Sequence, residues 1–429
     1  MSIKTNIADK YIFKNANIYF PINRKMLKGN ILVKNGIIED INYNGNSEGY
    51  VVLDCADKII CPGFLDLRSH FGEPGLDDVE SVDSGSKAAL AGGYTKVCTL
   101  PNTYPVIDNL ESLESLFKKS QNLDIDIYPI GSITNNLDGT ELSEIGLMAK
   151  EGIVAISDAH KSIDNAQVMR NALEYAKMFN LPVISHAENI SLANEGIANE
   201  SEFSTQKGLP SNPFISETIG IFRDLEIANY VGGRIHLSHI SSSKSIPLIQ
   251  KYKDMGLLVT AELTPHHIGL TETELNDFNA FYKISPPLRS EKDCLGLIEG
   301  LKNGVIDCIS SDHFPRKIED KESDLLNSKS GVIGLESAFA FSNQILSNHD
   351  FKIEDVIDLF TIRPSKVFGI DLEPIEKNFL ANFIVLDPEV EWIFEKKNIY
   401  SKSKNSALLG KKMRGKVEMV VAKNKIHTI

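Results

Sequence analysis

The chain has 429 residues, 42% of them hydrophobic, with a net charge of -13 and a pI near 5.3. This length allows one large domain and a smaller module, and the acidic balance without a concentrated Lys/Arg run argues against nucleic-acid partners. No run of about 18 apolar residues and no signal-peptide core occurs, so a cytoplasmic protein without membrane contact is predicted. The five cysteines lack CxxC spacing, which is typical of reduced thiols.

Short alternating segments at both ends of the chain predict a small module. Residues 11–60 contain several such segments separated by Gly/Asn turns, the pattern of small antiparallel strands. The pattern returns after residue 371. We therefore predict a small β-sandwich assembled from residues 1–60 and 371–429 around a central domain of residues 61–370.

The central domain alternates short apolar strands with helical stretches such as residues 164–179 and 218–231. Repeated strand–helix units of this size indicate a parallel α/β fold, and eight of them close a TIM-like (β/α)8 barrel. Nearly all of these strands end in polar residues. Because the carboxyl ends of barrel strands meet on one face, these polar ends are expected to converge on one site.

The histidines follow the same pattern. A single histidine at a strand end is more often structural than a ligand, but His186, His239 and Asp312 on successive strand ends together indicate a catalytic or metal site. Seven of the ten histidines lie at or next to predicted strand ends: His70, His186, His236, His239, His266, His267 and His313.

Residues 61–75, CPGFLDLRSHFGEPG, nearly form a metal-binding motif. An apolar strand that ends in His-x-His would direct two imidazoles from the same face toward one metal ion. The first position of this pair is Arg68, and only His70 remains. The motif therefore departs from the pattern at a residue on which such a metal site depends.

The motifs resemble those of dihydroorotases, in the same order, over about residues 12–425. The similarity is to the type associated with aspartate transcarbamoylase. It implies an amidohydrolase barrel with a β-sandwich and one or two zinc ions, and the reversible cyclisation of N-carbamoyl-L-aspartate to dihydroorotate in pyrimidine biosynthesis. The motifs that carry the resemblance include PGFLDLRSHFGEPG, AISDAHKSI, ISHAEN, IHLSHISS, TPHH, SPPLRSEKD and IDCISSDHFP.

The resemblance also implies a ligand set. One metal site would consist of Asp158, His186 and His239, all of which are present, whereas the other retains only His70, Asp312 and the shared Asp158. One zinc ion is therefore expected, with two as the alternative. Asp312 is the expected catalytic residue, which shuttles a proton between water and the leaving nitrogen. A neighbouring cation is expected to keep its carboxylate ionised.

Substrate recognition departs from the family pattern as well. Gly72 stands where the family has an arginine that grips the substrate carboxylate, Ser285 replaces an asparagine, and Arg316 replaces a histidine. Asn102 remains of the usual carboxylate-binding group. The predicted substrate-binding residues are therefore Asn102, Ser285 and Arg316, with Arg316 supplying the lost positive charge.

Three further expectations concern side chains near these motifs. Arg68 is expected to put its guanidinium in the space of the missing metal and to pair with Asp312 or Asp158. His266 and His267 either line the pocket or anchor the loop that carries them. His160 and Lys161 are expected to face solvent.

Three functions are consistent with these patterns. The first is a dihydroorotase-like zinc hydrolase that acts on a small anionic substrate. The second is a non-catalytic dihydroorotase-like subunit that supports an aspartate transcarbamoylase, and the third is a cyclic amidohydrolase with another amide or ureide substrate. A homo-oligomer is also expected.

Overall fold

The structure is a computed structural model, which describes residues 3–6 and 10–429. It contains one large sheet built from both chain ends, one eight-stranded parallel sheet, and a two-stranded sheet. The strands are β1 (Lys4–Asn6), β2 (Lys10–Phe20), β3 (Lys25–Lys34), β4 (Ile37–Asp40), β5 (Val51–Asp54), β6 (Ile59–Pro62), β7 (Phe64–Ser69), β8 (Tyr94–Thr99), β9 (Asp126–Gly131), β10 (Ala155–Ser157), β11 (Val183–Ser185), β12 (Ala198–Asn199), β13 (Ser211–Asn212), β14 (Ile235–Leu237), β15 (Val259–Leu263), β16 (Cys308–Ile309), β17 (Phe383–Ile393), β18 (Lys412–Ala422) and β19 (Lys425–Thr428).

The helices lie mainly between strands of the parallel sheet. They are α1 (Val82–Gly92), α2 (Leu110–Ser120), α3 (Ile145–Lys150), α4 (Ala166–Lys177), α5 (Ile190–Ala193), α6 (Glu202–Lys207), α7 (Phe214–Val231), α8 (Ile246–Asp254), α9 (Pro265–Gly269), α10 (Glu291–Lys302), α11 (Ala338–Leu346), α12 (Ile353–Phe360) and α13 (Ile362–Phe368). None of the described helices is both long and apolar enough to cross a bilayer.

The eight-stranded sheet is a closed barrel. Its strands follow the order β7-β8-β9-β10-β11-β14-β15-β16, and neighbouring strands run parallel throughout. Ser69, at the end of β7, forms a parallel bridge with His313, beyond β16, and the His70 N–H donates to the His313 carbonyl over 2.7 Å. The predicted (β/α)8 barrel is therefore confirmed, and its first and last strands place residues 68–70 beside residues 312–313.

The chain ends form the second sheet, which is mostly antiparallel. Its order is β1-β19-β18-β17-β6-β2-β3-β4, with β5 paired to β2. The junction between the two ends is the antiparallel β17–β6 pair, in which Ile384 lies opposite Cys61. The prediction that both chain ends build one small β-module is thus confirmed. Strand β6 continues almost directly into β7, so the sheet is covalently tied to the start of the barrel.

Helix α1 illustrates how local sequence fixes the elements around the barrel mouth. Ser81 caps its first turn in a capping box with Ser84, and Gly93 ends it in the left-handed region at φ 89°. A residue with a Cβ is disfavoured in this conformation. The helix therefore begins next to Glu80 and ends immediately before β8.

The buried carboxylate of Asp66 links the first barrel strand to the segment after the last one. Asp66 accepts hydrogen bonds from the backbone N–H of Ser311 at 2.7 Å and from the hydroxyls of Ser69 and Ser311 at 2.5 and 2.8 Å. Burial raises the pKa of Asp66 to about 6, although these hydrogen bonds act in the opposite direction. The contacts join β7 to the segment that carries Asp312.

We predict that Asp66→Ala lowers the free energy of unfolding by about 2–4 kcal/mol, because it leaves several buried donors without an acceptor. Urea denaturation followed by circular dichroism measures this loss. The matched control is Asp371→Ala at an exposed position, which should change stability by less than about 0.5 kcal/mol. Equal stability of the two variants would contradict the role assigned to Asp66.

Candidate functional site

The carboxyl ends of the barrel strands bring Arg68 and Asp312 into contact. Arg68 lies in β7 with 1% of its surface exposed, and Asp312 follows β16. The Arg68 Nε donates to Asp312 Oδ1 over 2.9 Å. Of the two carboxylates considered for Arg68 from the sequence, the structure thus selects Asp312.

The guanidinium of Arg68 is held on a second side by the loop after β10. Its Nη2 donates to the Ala159 carbonyl over 2.9 Å and lies 3.3 Å from His160 Nδ1. Its Nη1 is buried and has no hydrogen bond to any described residue. The side chain is therefore fixed in place, with one donor group left without a partner in residues 3–6 and 10–429.

Asp312 has an unusual backbone conformation, and two opposite effects act on the pKa of its carboxyl group. Its φ is +44°, in the left-handed region that aspartate tolerates better than most residues. Burial raises the pKa of the carboxyl, and the charge and hydrogen bond of Arg68 act in the opposite direction. Burial thus opposes the effect of Arg68 on the Asp312 pKa, and the expectation that a neighbouring cation keeps this carboxylate ionised stays a prediction.

His70 and Asn102 contact each other. His70 Nδ1 lies 3.0 Å from Asn102 Oδ1, and burial lowers the pKa of His70 to about 4, so the ring is neutral at physiological pH. A hydrogen bond here fixes Nδ1 as the protonated nitrogen, because an amide oxygen only accepts. In this arrangement, Asn102 orients an imidazole.

The three side chains predicted to hold one zinc ion are brought together only in part. His186 Nδ1 lies 3.1 Å from His239 Nε2. The Asp158 carboxylate instead accepts hydrogen bonds from the backbone N–H groups of Ile133 and Thr134 at 2.8 and 3.0 Å, and a third from the Thr134 hydroxyl. It therefore joins the β9 and β10 loops, while the two imidazoles form a separate pair.

The described side chains do not form a preformed metal centre. No group of three or more His, Cys, Asp or Glu side chains suited to holding a metal ion occurs in the described part of the chain. His70 contacts Asn102, Asp312 is paired with Arg68, and Asp158 is bonded to a neighbouring loop. In this arrangement each of these three predicted ligands bonds to another protein group.

A cavity of about 210 Å³ lies beside the Arg68–Asp312 pair. Asp312, Ser285 and Arg316, three residues predicted to be catalytic or substrate-binding, all line it, whereas Asn102 does not. The remaining lining residues are His160, Thr264, His266, Ile284, Phe314, Ser330, Gly331 and Val332.

Arg316 is positioned by contacts from three segments. Its Nε donates to the Ser330 carbonyl over 2.7 Å, and its guanidinium lies 4.0 Å from the centre of the Phe314 ring. Its backbone carbonyl accepts from the Ser403 hydroxyl at 2.6 Å, and its N–H donates to Asn405 Oδ1 over 3.2 Å. No described residue accepts from its terminal nitrogens, so these donors are free to bind an anion in the cavity.

The expectation that His160 faces solvent is wrong. Its ring stacks on Phe314 with centroids 4.1 Å apart, and Arg68 contacts its Nδ1. Burial lowers the pKa of His160 well below its usual value, and the nearby guanidiniums lower it further. The available signal was its position two residues after Asp158 at a strand end. Lys161, in contrast, is exposed as expected and donates to the Leu137 carbonyl.

Gly72 lies in a turn that has no room for a side chain at this position. A Cβ at this residue would lie 2.4 Å from the Leu76 carbonyl oxygen and 2.8 Å from that of Glu80. Real Cβ atoms do not approach backbone oxygens this closely, so a side chain would force the 72–80 turn to move. The 72–80 turn thus occupies the space that a side chain at position 72 would need.

We predict that Arg68→Met lowers the free energy of unfolding by about 3 kcal/mol or more, because it leaves the Asp312 carboxyl buried without its cation. Chemical denaturation measures the change. In the matched control, Lys87→Met removes an exposed helical pair with Asp83 and should cost less than about 0.5 kcal/mol. Unchanged stability of Arg68→Met would argue against a structural ion pair.

Comparisons with known proteins agree with the fold and the site motifs. A family model described as dihydro-orotase-like matches residues 57–245. A dihydroorotase from Caldicellulosiruptor saccharolyticus is 38% identical over 97% of this chain and 97% of its own length. A dihydroorotase from Trichlorobacter lovleyi is 35% identical over 92% of this chain and 94% of its own.

Solved structures support the architecture. The L-hydantoinase (dihydropyrimidinase) from Arthrobacter aurescens aligns with a TM-score of 0.85 at 23% identity, covering 96% of this chain and 94% of its own. A dihydropyrimidinase from Brevibacillus agri aligns with a TM-score of 0.83 at 19% identity, covering 97% and 94%. At these identities the likeness establishes the fold alone. The full-length similarity to curated relatives confirms the resemblance seen in the motifs, and the chain belongs to the dihydroorotase family of cyclic amidohydrolases.

Proposed function

We propose that this protein is a dihydroorotase, which interconverts N-carbamoyl-L-aspartate and dihydroorotate in pyrimidine biosynthesis. Full-length similarity to proteins named dihydroorotase supports the reaction. The structural observation that carries the proposal is the position of Asp312, a carboxylate fixed on the wall of the cavity.

Asp312 is suited to moving the proton. Its Oδ1 accepts a hydrogen bond from Arg68, whereas its Oδ2 has no hydrogen bond to a described residue and is available to accept a proton. During hydrolysis, water forms a bond to the ring amide carbon, its proton passes to Asp312, and the same proton reaches the amide nitrogen as the C–N bond breaks. The reverse sequence forms the ring from N-carbamoyl-L-aspartate.

Arg316 is suited to binding the substrate carboxylate. Both substrates are anions, and a chain with a net charge of -13 attracts them only through local positive charge. The Arg316 guanidinium lines the cavity and is held against Phe314, so little side-chain entropy remains to be lost on binding. Ser285 lines the same cavity and supplies a hydroxyl.

Metal dependence is a separate part of the proposal. The prediction of one zinc ion at Asp158, His186 and His239 remains a prediction, and it requires Asp158 to exchange hydrogen bonds with Thr134 for a metal bond. When bound in a hydrolase, zinc lowers the pKa of water and polarises the scissile carbonyl. The predicted homo-oligomer is likewise a proposal.

We predict at most one equivalent of zinc per chain after dialysis, because the Arg68 charge beside Asp312 opposes a second cation. Elemental analysis of the purified protein gives the number. His186→Ala should reduce retained zinc to background, whereas His427→Ala, which alters a buried histidine of the chain-end sheet, should not. Two equivalents in the unmodified protein would contradict this prediction.

We predict that Asp312→Asn lowers kcat for dihydroorotate hydrolysis by about 100-fold or more, because an amide does not accept the water proton. The assay is run with zinc supplied. Asp350→Asn, at a side chain that is 92% exposed, is the control and should retain full activity. Full activity in Asp312→Asn would remove this residue from the catalytic role.

A second function is favoured by the Arg68–Asp312 ion pair. A carboxylate that already shares a hydrogen bond with a guanidinium is a weaker base, and a guanidinium does not activate water as a metal ion does. A chain without turnover would fit a non-catalytic subunit that supports an aspartate transcarbamoylase.

One experiment separates the two functions. Dihydroorotate turnover by the purified, zinc-supplied protein supports the enzyme, and dihydrouracil and hydantoin in the same assay test for another cyclic amide. No turnover of any of them, together with increased aspartate transcarbamoylase activity or thermal stability when this chain is added, supports the subunit function.

A further inference from the structure

Two adjacent histidines in α9 have different surroundings. His267 uses both ring nitrogens, since its Nδ1 lies 2.9 Å from the Thr264 hydroxyl and its Nε2 lies 3.1 Å from the Pro286 carbonyl. His267 therefore anchors its loop to the segment that carries Ser285. The sequence left open whether this pair lines the pocket or anchors the loop, and for His267 the structure shows an anchor.

His266 is placed differently. It lines the cavity, only 2% of its surface is exposed, and its Nε2 is buried without a hydrogen bond to any described residue. An unpaired polar atom in a folded interior is destabilising, so such atoms are uncommon unless a ligand or water supplies the missing hydrogen bond. A buried, unpaired nitrogen on a residue that lines a cavity is thus an observation that points to a ligand.

The chemical state of His266 limits what that ligand group is. Burial lowers the pKa of His266 to about 3, and the neighbouring His267 lowers it further, so the ring is neutral at physiological pH. In a neutral imidazole one nitrogen donates and the other accepts, so Nε2 offers either one donor or one acceptor and carries no charge. Its natural partner is an uncharged amide or ureide, which carries both a C=O and an N–H.

The cavity therefore offers two kinds of contact. Arg316 supplies a positive charge, whereas His266, together with the Thr264 and Ser285 side chains that line the same cavity, supplies neutral polar groups. Dihydroorotate contains the matching pair of features, a carboxylate and a cyclic ureide. A ligand with only one of these features would leave part of the cavity unpaired.

We propose that His266 is a ligand-contacting residue whose Nε2 hydrogen-bonds the ureide group of the substrate while Arg316 binds its carboxylate. This inference rests on the proposed function for the identity of the substrate. It assigns His266 a role in selecting cyclic ureides that is separate from the proton transfer by Asp312.

The test is calorimetric titration of dihydroorotate into variants of the full chain. His266→Phe keeps a planar ring but removes the nitrogen, and His266→Gln restores a polar group of similar reach. Arg316→Ala removes the proposed carboxylate contact. The matched control is His427→Phe, the same substitution at a buried histidine of the chain-end sheet.

We expect His266→Phe to weaken dihydroorotate binding about 10-fold, the scale of one hydrogen bond to an otherwise unpaired buried group. His266→Gln should recover most of this loss, and His427→Phe should bind as the unmodified protein does. Because His266 and Arg316 contact different parts of the ligand, the fold-losses of affinity should multiply in the variant that combines His266→Phe with Arg316→Ala.

Several results would overturn the inference. These are unchanged affinity in His266→Phe, an equal loss in His427→Phe, or no recovery in His266→Gln, which would indicate a packing role. If His266→Phe does not fold, His266→Leu is judged by the same criteria. If the unmodified protein turns over dihydroorotate and His266→Phe binds it with unchanged affinity, only this inference is wrong. If the unmodified protein binds dihydroorotate without turnover, only the catalytic function is wrong. No binding by the unmodified protein sinks both.

Discussion

The buried ion pair between Arg68 and Asp312 is the interaction on which the site depends. It joins the first and last strands of the barrel at their carboxyl ends, with Nε and Oδ1 2.9 Å apart. A guanidinium is larger than a metal ion and directs its hydrogen bonds in a plane, so it fixes neighbours by geometry. Here those neighbours are Asp312, the Ala159 carbonyl and His160, and of these Asp312 and His160 line the cavity.

The rest of the molecule supports this pair from outside the cavity. Asp66 ties β7 to Ser311, and Glu80 lies with its carboxylate 3.4 Å from His313 and accepts from the Ser401 hydroxyl. The segment around Ser403, which precedes the last strands of the chain-end sheet, holds the backbone of Arg316. The chain-end segments therefore help to position Arg316, which is the one arginine among the described residues that line the cavity. In this way the small module contributes to the site in the barrel.

Sequence reasoning predicted the architecture because it depends on periodicity. Alternating strands and helices indicated the barrel, and polar strand ends indicated the location of the site, including Asp312, Ser285 and Arg316 on one cavity. It also anticipated that Arg68 pairs with an acidic neighbour. These predictions needed only the position of each residue along its strand or loop.

Side-chain directions were not predictable in the same way, because contacts between segments distant in sequence decide them. Asp158 accepts hydrogen bonds from residues 133–134, His70 is bonded to Asn102, and His160 is covered by Phe314. The position of a residue within a motif therefore does not determine which group its side chain contacts. The closed turn over Gly72 likewise depends on the carbonyls of Leu76 and Glu80, which no motif reports.

In the proposed function, protein cations and not a metal ion supply the charge that binds the substrate anion in this cavity. The most direct measurement is calorimetric titration of dihydroorotate into protein dialysed against EDTA, compared with zinc-supplied protein. We expect equal affinity in the two samples, because Arg316 binds the carboxylate and Arg68 holds Asp312 in both. Binding that disappears after EDTA treatment and returns with zinc would contradict it.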